Sequence, residues 1–343
     1  MLFRSQPLPD GTLVLAPMLL DDRLVVFAVT HTTLTHFTAQ IAPREVQELV
    51  DGLIAEFDPR RAAGAQGVAG ATRLRQKAGR LYDLLVRPAF DALGVPDTLI
   101  VSAMGALRYV PFAALWDGER WLIEHTVLAS ATSLDLTSFA AGPEGDARAA
   151  TILALVDPDG TLPGAREEEV GIEKAYPGAV TALEGDAATL AALRGRVRVP
   201  GFDIVHLAAH GRLDAATPEA SHIVMADGAL AYDEIPTLKP KKTRLVVLSA
   251  CQTAVRTGGT GVEIAGLAYQ FKNGNVSRVL ATLWQVDDEA TAALMARFYA
   301  ALHQGEGFAK ALATAQRALI ADADGQGFGH PAYWAPFFLM GPP

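Results

Sequence analysis

Cysteine is almost absent. Cys251 stands alone among 343 residues, so no disulfide can form within the chain. No apolar run reaches the ~18 residues of a membrane-spanning helix. The opening residues, Met1 to Gly11, carry no apolar stretch of the signal-peptide kind. These absences set the expectation of a cytoplasmic protein with no membrane partner. Positive charge is also scarce: 29 Lys and Arg face 38 Asp and Glu, a net charge of −9. That excludes the basic stripe of a general nucleic-acid binder and suits a basic partner or substrate. Gly259-Thr-Gly261 lacks the further glycine of a dinucleotide fingerprint, and no Gly-Lys-Ser/Thr follows it, so no cofactor is expected. No internal repeat marks a solenoid.

What is present suits a sizeable core, because half the residues are hydrophobic and one fifth charged. Thr12 to Ala16, Arg23 to Val29 and Leu34 to Ile41 read as a strand meander around an Asp21-Asp22 turn. Residues 43–57 open with proline and early acids, as a helix does. Residues 62–71 read as a loop. Residues 72–92 read as one amphipathic helix with Leu74, Leu81, Leu84 and Leu85 on one side. From residue 97 onward, short apolar runs alternate with helical stretches. The runs 98–102, 151–156, 202–207, 244–250 and 277–283 lack polar alternation, as strands covered on both faces do. The pattern predicts a parallel α/β sheet. Residues 140–147 read as a linker. The expected division is a small α+β region over 1–95, regulatory or structural, and an α/β domain over 96–343.

Two of these runs end in reactive side chains. Arg244 to Thr253 reads as a strand that opens into a loop at Cys251, and Phe202 to Gly211 as a strand that ends in His210-Gly211. An apolar-flanked cysteine is by itself a core residue. Beside a histidine on an adjacent parallel strand it becomes a nucleophile, because the thiolate is the attacking species and a free thiol is mostly protonated at neutral pH. His206 precedes His210 by four residues. On a strand the two share a face but stand about 13 Å apart, too far for one metal ion, so no metal is expected and His206 reads as structural. After the cysteine, Thr260-Gly-Val-Glu263 fits a capping box for a helix with Ile264, Leu267, Ala268 and Phe271 on one face, closed by Gly274.

His206-Leu-Ala-Ala-His-Gly211, Val247-Leu-Ser-Ala-Cys-Gln-Thr253, Leu283-Trp-Gln-Val-Asp-Asp-Glu-Ala-Thr291 and His330-Pro-Ala-Tyr-Trp-Ala-Pro-Phe resemble the successive motifs of CHAT domains. So do Leu162-Pro-Gly-Ala-Arg-Glu-Glu168 and Tyr109-Val-Pro-Phe-Ala-Ala-Leu115. These domains are caspase-like cysteine peptidases related in fold to separase, and the resemblance covers roughly residues 98–341. It implies a caspase-like three-layer α/β sandwich with a mostly parallel central sheet. It implies peptide-bond hydrolysis, with Cys251 as nucleophile, His210 serving the proton transfers, and the backbone N–H groups of Gly211 and Cys251 as oxyanion donors. It implies a protein substrate, a regulatory protein partner, and a setting in bacterial defence or regulated death. Many members carry helical repeats before the peptidase part, where this chain has only its short N-terminal region.

Asp287 and Asp288 follow the run 277–283 and precede a helix with Leu294, Phe298 and Leu302 on one face. An aspartate there caps and charge-matches the helix, and Asp288 is the better placed to do so. Asp287 then faces the C-terminal sheet edge, where ligands bind in open α/β sheets. A carboxylate at that edge favours arginine or lysine before the cleaved bond. Capping and substrate contact both stand as readings of the pair. Two other functions compete with the endopeptidase: a catalytically silent caspase-like scaffold, and a thiol acyl-transfer enzyme. The intact dyad argues against the first. The lack of a Gly-x-Ser-x-Gly elbow argues against the second.

Overall fold

The unalternating apolar runs become strands whose every residue is buried: β6 (Ile152–Val156), β8 (Ile204–Ala208), β12 (Leu245–Leu248) and β14 (Arg278–Thr282). Helices on both faces hide them from water, so no face has to be polar. The computed structural model describes residues 8–57, 68–131, 146–198, 201–212, 214, 217–249, 251–252, 262–321, 325 and 327–343. The remaining strands are β1 (Thr12–Leu19), β2 (Leu24–Val29), β3 (Leu34–Ala39), β4 (Thr98–Val101), β5 (Val127–Ser130), β7 (Val180–Glu184), β9 (Gly211–Arg212), β10 (His222–Met225), β11 (Gly228–Ala231), β13 (Cys251–Gln252) and β15 (Phe337–Met340).

One 11-stranded sheet runs β3-β2-β1-β4-β5-β15-β14-β12-β8-β6-β7, and a four-stranded sheet runs β11-β10-β9-β13. Among the described residues of the large sheet, only β1–β2, β2–β3 and β14–β15 pair antiparallel. Over β6, β8, β12 and β14 there are three layers. Ile172 of the helix Gly164–Ala175 and Leu294 and Phe298 of the helix Asp288–His303 pack on one face. Leu193 of the helix Leu190–Arg196 and Leu267 and Phe271 of the helix Val262–Asn273 pack on the other. The N-terminal meander joins the same sheet, because β1 pairs in parallel with β4. Leu13, Leu15, Leu24 and Val26 share one core with Val46 and Leu81, from the helices Pro43–Ile54 and Val68–Leu85.

Several elements differ from expectation. The single helix expected over 72–92 is two, Val68–Leu85 and Arg87–Leu93, with the break at Val86 (φ −123°, ψ −51°). Pro88 explains the break: it lacks an N–H, and its ring would clash with the carbonyl four residues back. Residues 68–71, expected as loop, begin the first of these helices. β5, β7, β15 and the β10–β11 hairpin were not expected. The loop at 62–67, all but the last two residues of the 140–147 linker, and Thr260 and the Glu263 side chain of the capping box lie outside what the structure describes.

Leu15 is fully buried and sits where β1 pairs with both Ala28 of β2 and Val101 of β4. Leu15→Ala should cost about 2–5 kcal/mol in denaturant unfolding. It should leave the alkylation rate of Cys251 per folded molecule unchanged.

Candidate active site

The site forms where two neighbouring strands leave the large sheet together. β8 and β12 pair in parallel, with Leu207 opposite Leu248. Both chains then continue into the small sheet as β9 and β13, with Gly211 opposite Cys251. Between these two pairs β8 has three residues, Ala208, Ala209 and His210, whereas β12 has two, Ser249 and Ala250. The extra residue makes a bulge, the device that re-aims a side chain at a sheet margin. Bonds from Ser249 N–H to the Leu207 carbonyl (3.1 Å) and from Val224 N–H to the His210 carbonyl (2.8 Å) hold it on both sides. The backbones of Gly211 and Cys251 are therefore one strand spacing apart, about 4.8 Å. Placement of the Cys251 side chain and of residues 253–261 lies outside the described residues.

His210 is half-buried. Its Nε2 lies 2.8 Å from Thr161 Oγ1, and the Thr161 hydroxyl donates to Asp159 Oδ1 at 2.7 Å. A hydroxyl has one proton to give. Spent on Asp159, it leaves the Thr161 oxygen to accept from His210 Nε2–H. The neutral ring then carries its lone pair on Nδ1, which is buried and has no hydrogen-bond partner among the described residues. The loop bearing Thr161 is set by Asp157, in the left-handed region at φ 48°, whose carboxylate accepts from Leu162 N–H at 2.9 Å.

Beside His210 lies a cleft of about 390 Å³, bordered by Asp288, Glu168, Ser249, Thr282 and Gln285 among others. A larger, mostly apolar pocket lies near β5 and β15, but among the described residues the only ionisable side chain lining it is Arg108. The cleft beside His210 is therefore the candidate site. The two aspartates exchange their expected positions. Asp287 caps the helix Asp288–His303, accepting from Ala290 N–H at 3.1 Å, and is otherwise exposed. Asp288 points into the cleft and accepts from Gly164 N–H. A Cβ at Gly164 would collide with the Asp288 side chain, which accounts for the glycine in Leu162-Pro-Gly-Ala-Arg. Burial pushes the Asp288 carboxyl above the usual carboxylate range. The Gly164 N–H opposes the rise; Asp287 and Glu168 add to it, and His210 opposes it.

Beneath the cleft, Glu168 Oε2 accepts a short hydrogen bond from the Ser249 hydroxyl. His206 Nε2 stands 3.2 Å from the same oxygen, without the alignment of a hydrogen bond, and its Nδ1 is 3.1 Å from the Tyr299 hydroxyl. His206 thus faces the core, as its structural reading expects. Sequence reasoning missed Thr161, Asp159, Glu168 and Ser249. The Asp157-Pro-Asp-Gly160 turn signal directly after a buried strand marks a loop at the sheet edge. Nothing local ties Glu168 to a serine 81 positions away.

Residues 75–342 match the family model described as CHAT domain. Among solved structures, separase in the Saccharomyces cerevisiae separase–securin complex aligns at TM-score 0.64 and 10% identity, over 97% of this chain and 30% of that one. The Arg-specific cysteine proteinase gingipain R aligns at TM-score 0.46 and 8% identity, over 80% of this chain and 67% of that one. The chain thus spans under a third of the separase chain. No curated protein matches the sequence. The separase likeness and the sheet order give the fold expected from the sequence, a caspase-like α/β sandwich with a mostly parallel sheet.

Asp288→Asn should raise thermal stability at neutral pH. A carboxyl with a raised folded-state pKa stabilises the fold at low pH and loses that contribution as pH rises through the folded pKa. The gain should shrink as the unfolding buffer is made acidic. Asp287→Ala should instead lower stability by about 1 kcal/mol through the lost cap.

Proposed function

This chain belongs to the CHAT domain family, and we propose that it is a cysteine endopeptidase that cleaves specific protein partners through His210 and Cys251. The observation that carries the reading is the parallel pairing of Gly211 with Cys251, which sets the two reactive residues on adjacent chains. His210 Nδ1, left unprotonated by the Thr161 contact, takes the thiol proton. The thiolate attacks the scissile carbonyl carbon and the carbonyl electrons move to oxygen. The N–H groups of Gly211 and Cys251 are the donors proposed for that oxyanion. As the tetrahedral adduct collapses, the C–N bond breaks and the amine leaves with the proton from His210. A thioester remains on Cys251. A water molecule, deprotonated by His210, attacks it and releases the carboxylic acid and the thiol.

Substrate preference follows from the cleft. Asp288 supplies a carboxylate beside His210, and Asp287 holds the helix end that presents it. An arginine or lysine before the cleaved bond would pair with Asp288 and restore its ionisation against the burial that opposes it. The net charge of −9 is compatible with basic partners. A bacterial defence or regulated-death setting, and a regulatory protein partner, follow from the family resemblance noted in the sequence.

Cys251→Ala should abolish cleavage without unfolding the protein, a change costing under ~1.5 kcal/mol. His210→Ala should lower turnover on the order of 10²-fold or more. In a fluorogenic peptide library the preferred residue before the bond should be arginine or lysine. Asp288→Asn should cut turnover of those peptides by roughly 30–100-fold yet spare alkylation of Cys251 by a small neutral reagent. The basic preference should fade as pH falls through the raised pKa of Asp288, at higher pH than an ordinary carboxylate would allow. A preference for aspartate would overturn the specificity assignment. Wild-type protein that is alkylated at Cys251 but cleaves no peptide or protein would favour the scaffold.

A further inference from the structure

Each element that brings a group to the cleft also sends one polar side chain into a single buried cluster. β8 leads to His210 and contributes His206. β12 leads to Cys251, and Ser249 lies on the connection. The helix Asp288–His303 begins with Asp288 and contributes Tyr299. The helix Gly164–Ala175 begins at the Gly164 N–H that Asp288 accepts, and contributes Glu168. The four side chains are 0–6% exposed; Ser249 and His206 meet at one Glu168 carboxylate oxygen, and Tyr299 joins through His206 Nδ1 at 3.1 Å.

The proton order in this cluster runs one way. Burial holds the Tyr299 hydroxyl well above its ordinary pKa, so it keeps a proton to donate to His206 Nδ1, 3.1 Å away, in the tautomer with the ring proton on Nε2. The His206 proton then lies on Nε2, facing Glu168. Ser249 donates to the same oxygen. The reverse tautomer would set a bare ring nitrogen against a carboxylate at 3.2 Å. Apolar side chains of similar volume commonly fill such a site at no loss of stability, whereas half of a buried polar cluster is costly. A set of groups that fits in only one arrangement fixes the spacing of the elements that carry it.

We infer that Glu168, His206, Ser249 and Tyr299 act as positioning residues, locking β8, β12 and the two helices in the register that brings His210, Cys251 and Asp288 together. The inference rests on the peptidase reading above. It names a cause for the geometry of the site rather than a group that touches substrate.

The test compares Ser249→Ala, Glu168→Gln and Tyr299→Phe in the full chain. Readouts are kcat and KM on a basic fluorogenic peptide, thermal unfolding, and the pH profile of Cys251 alkylation by iodoacetamide. Each variant should lower kcat roughly 10-fold or more with KM within about twofold, since small misplacements of reacting groups are expensive. Each should also shift the alkylation profile. Ser249→Ala with Glu168→Gln should be no worse than the poorer single variant, because both disable one network. Tyr299→Phe removes one oxygen and keeps the ring, so it remains decisive if Glu168→Gln fails to fold. Lowered unfolding temperatures with kcat per folded molecule and the alkylation profile unchanged would overturn the inference and leave the peptidase reading standing. Wild-type protein that cleaves nothing, while Tyr299→Phe still shifts the alkylation profile, would sink the peptidase reading and leave the positioning role.

Discussion

The parallel pairing of β8 with β12 is the constraint on which the rest depends. Two chains that run side by side in one direction must end at the same edge, so whatever follows them is brought together without further instruction. The one-residue offset between the Leu207–Leu248 pair and the Gly211–Cys251 pair then falls within Ala208 to His210, just before Gly211. A bulge inside the large sheet would break its ladder. Here it falls at the exit, where the strands pass into the small sheet, and the small sheet holds the displaced backbone by the Val224–His210 bond.

The same edge gathers polar groups that a folded protein ordinarily avoids burying. Glu168, His206, Ser249 and Thr282 are all buried there. Asp288 is held partly out of water beside them, at the start of a helix that packs closely on its neighbour: Gly164 lies against Asp288 and Gly171 against Ala296. That close crossing is available only because glycine has no Cβ. It draws the acidic group within reach of His210, at the expense of its ionisation. The fold therefore trades some stability for an arrangement of charges, as functional sites commonly do.

The neighbouring strand β5 has a mechanical consequence for this arrangement. β5 lies beside β15, with Met340 opposite Ser130 and Gly341 N–H bonded to the Ser130 carbonyl. Without β5, β15 would be an open edge beside the strand that precedes Asp287, and open edges pair promiscuously. The half of the sheet that carries the candidate site is thus flanked by strands from residues before the linker region. They cover its edge and send no side chain into the cleft among the described residues.

The sequence by itself determined the parallel α/β architecture, because buried strands need uninterrupted apolar residues and those runs are visible locally. It also placed Cys251 and His210 at strand ends, since each follows such a run directly. It did not determine which of two adjacent aspartates would cap its helix. Both suit the position, and the choice came from the approach of Gly164, on a helix more than a hundred residues earlier. Nor could it reveal that Thr161 holds His210 or that Glu168 joins Ser249 and His206. Those contacts join residues 38 to 81 positions apart, and no local periodicity records them. Propensity and hydrophobic pattern act over a few residues, whereas hydrogen-bond partners are chosen when separate elements pack, and that choice belongs to the tertiary structure alone.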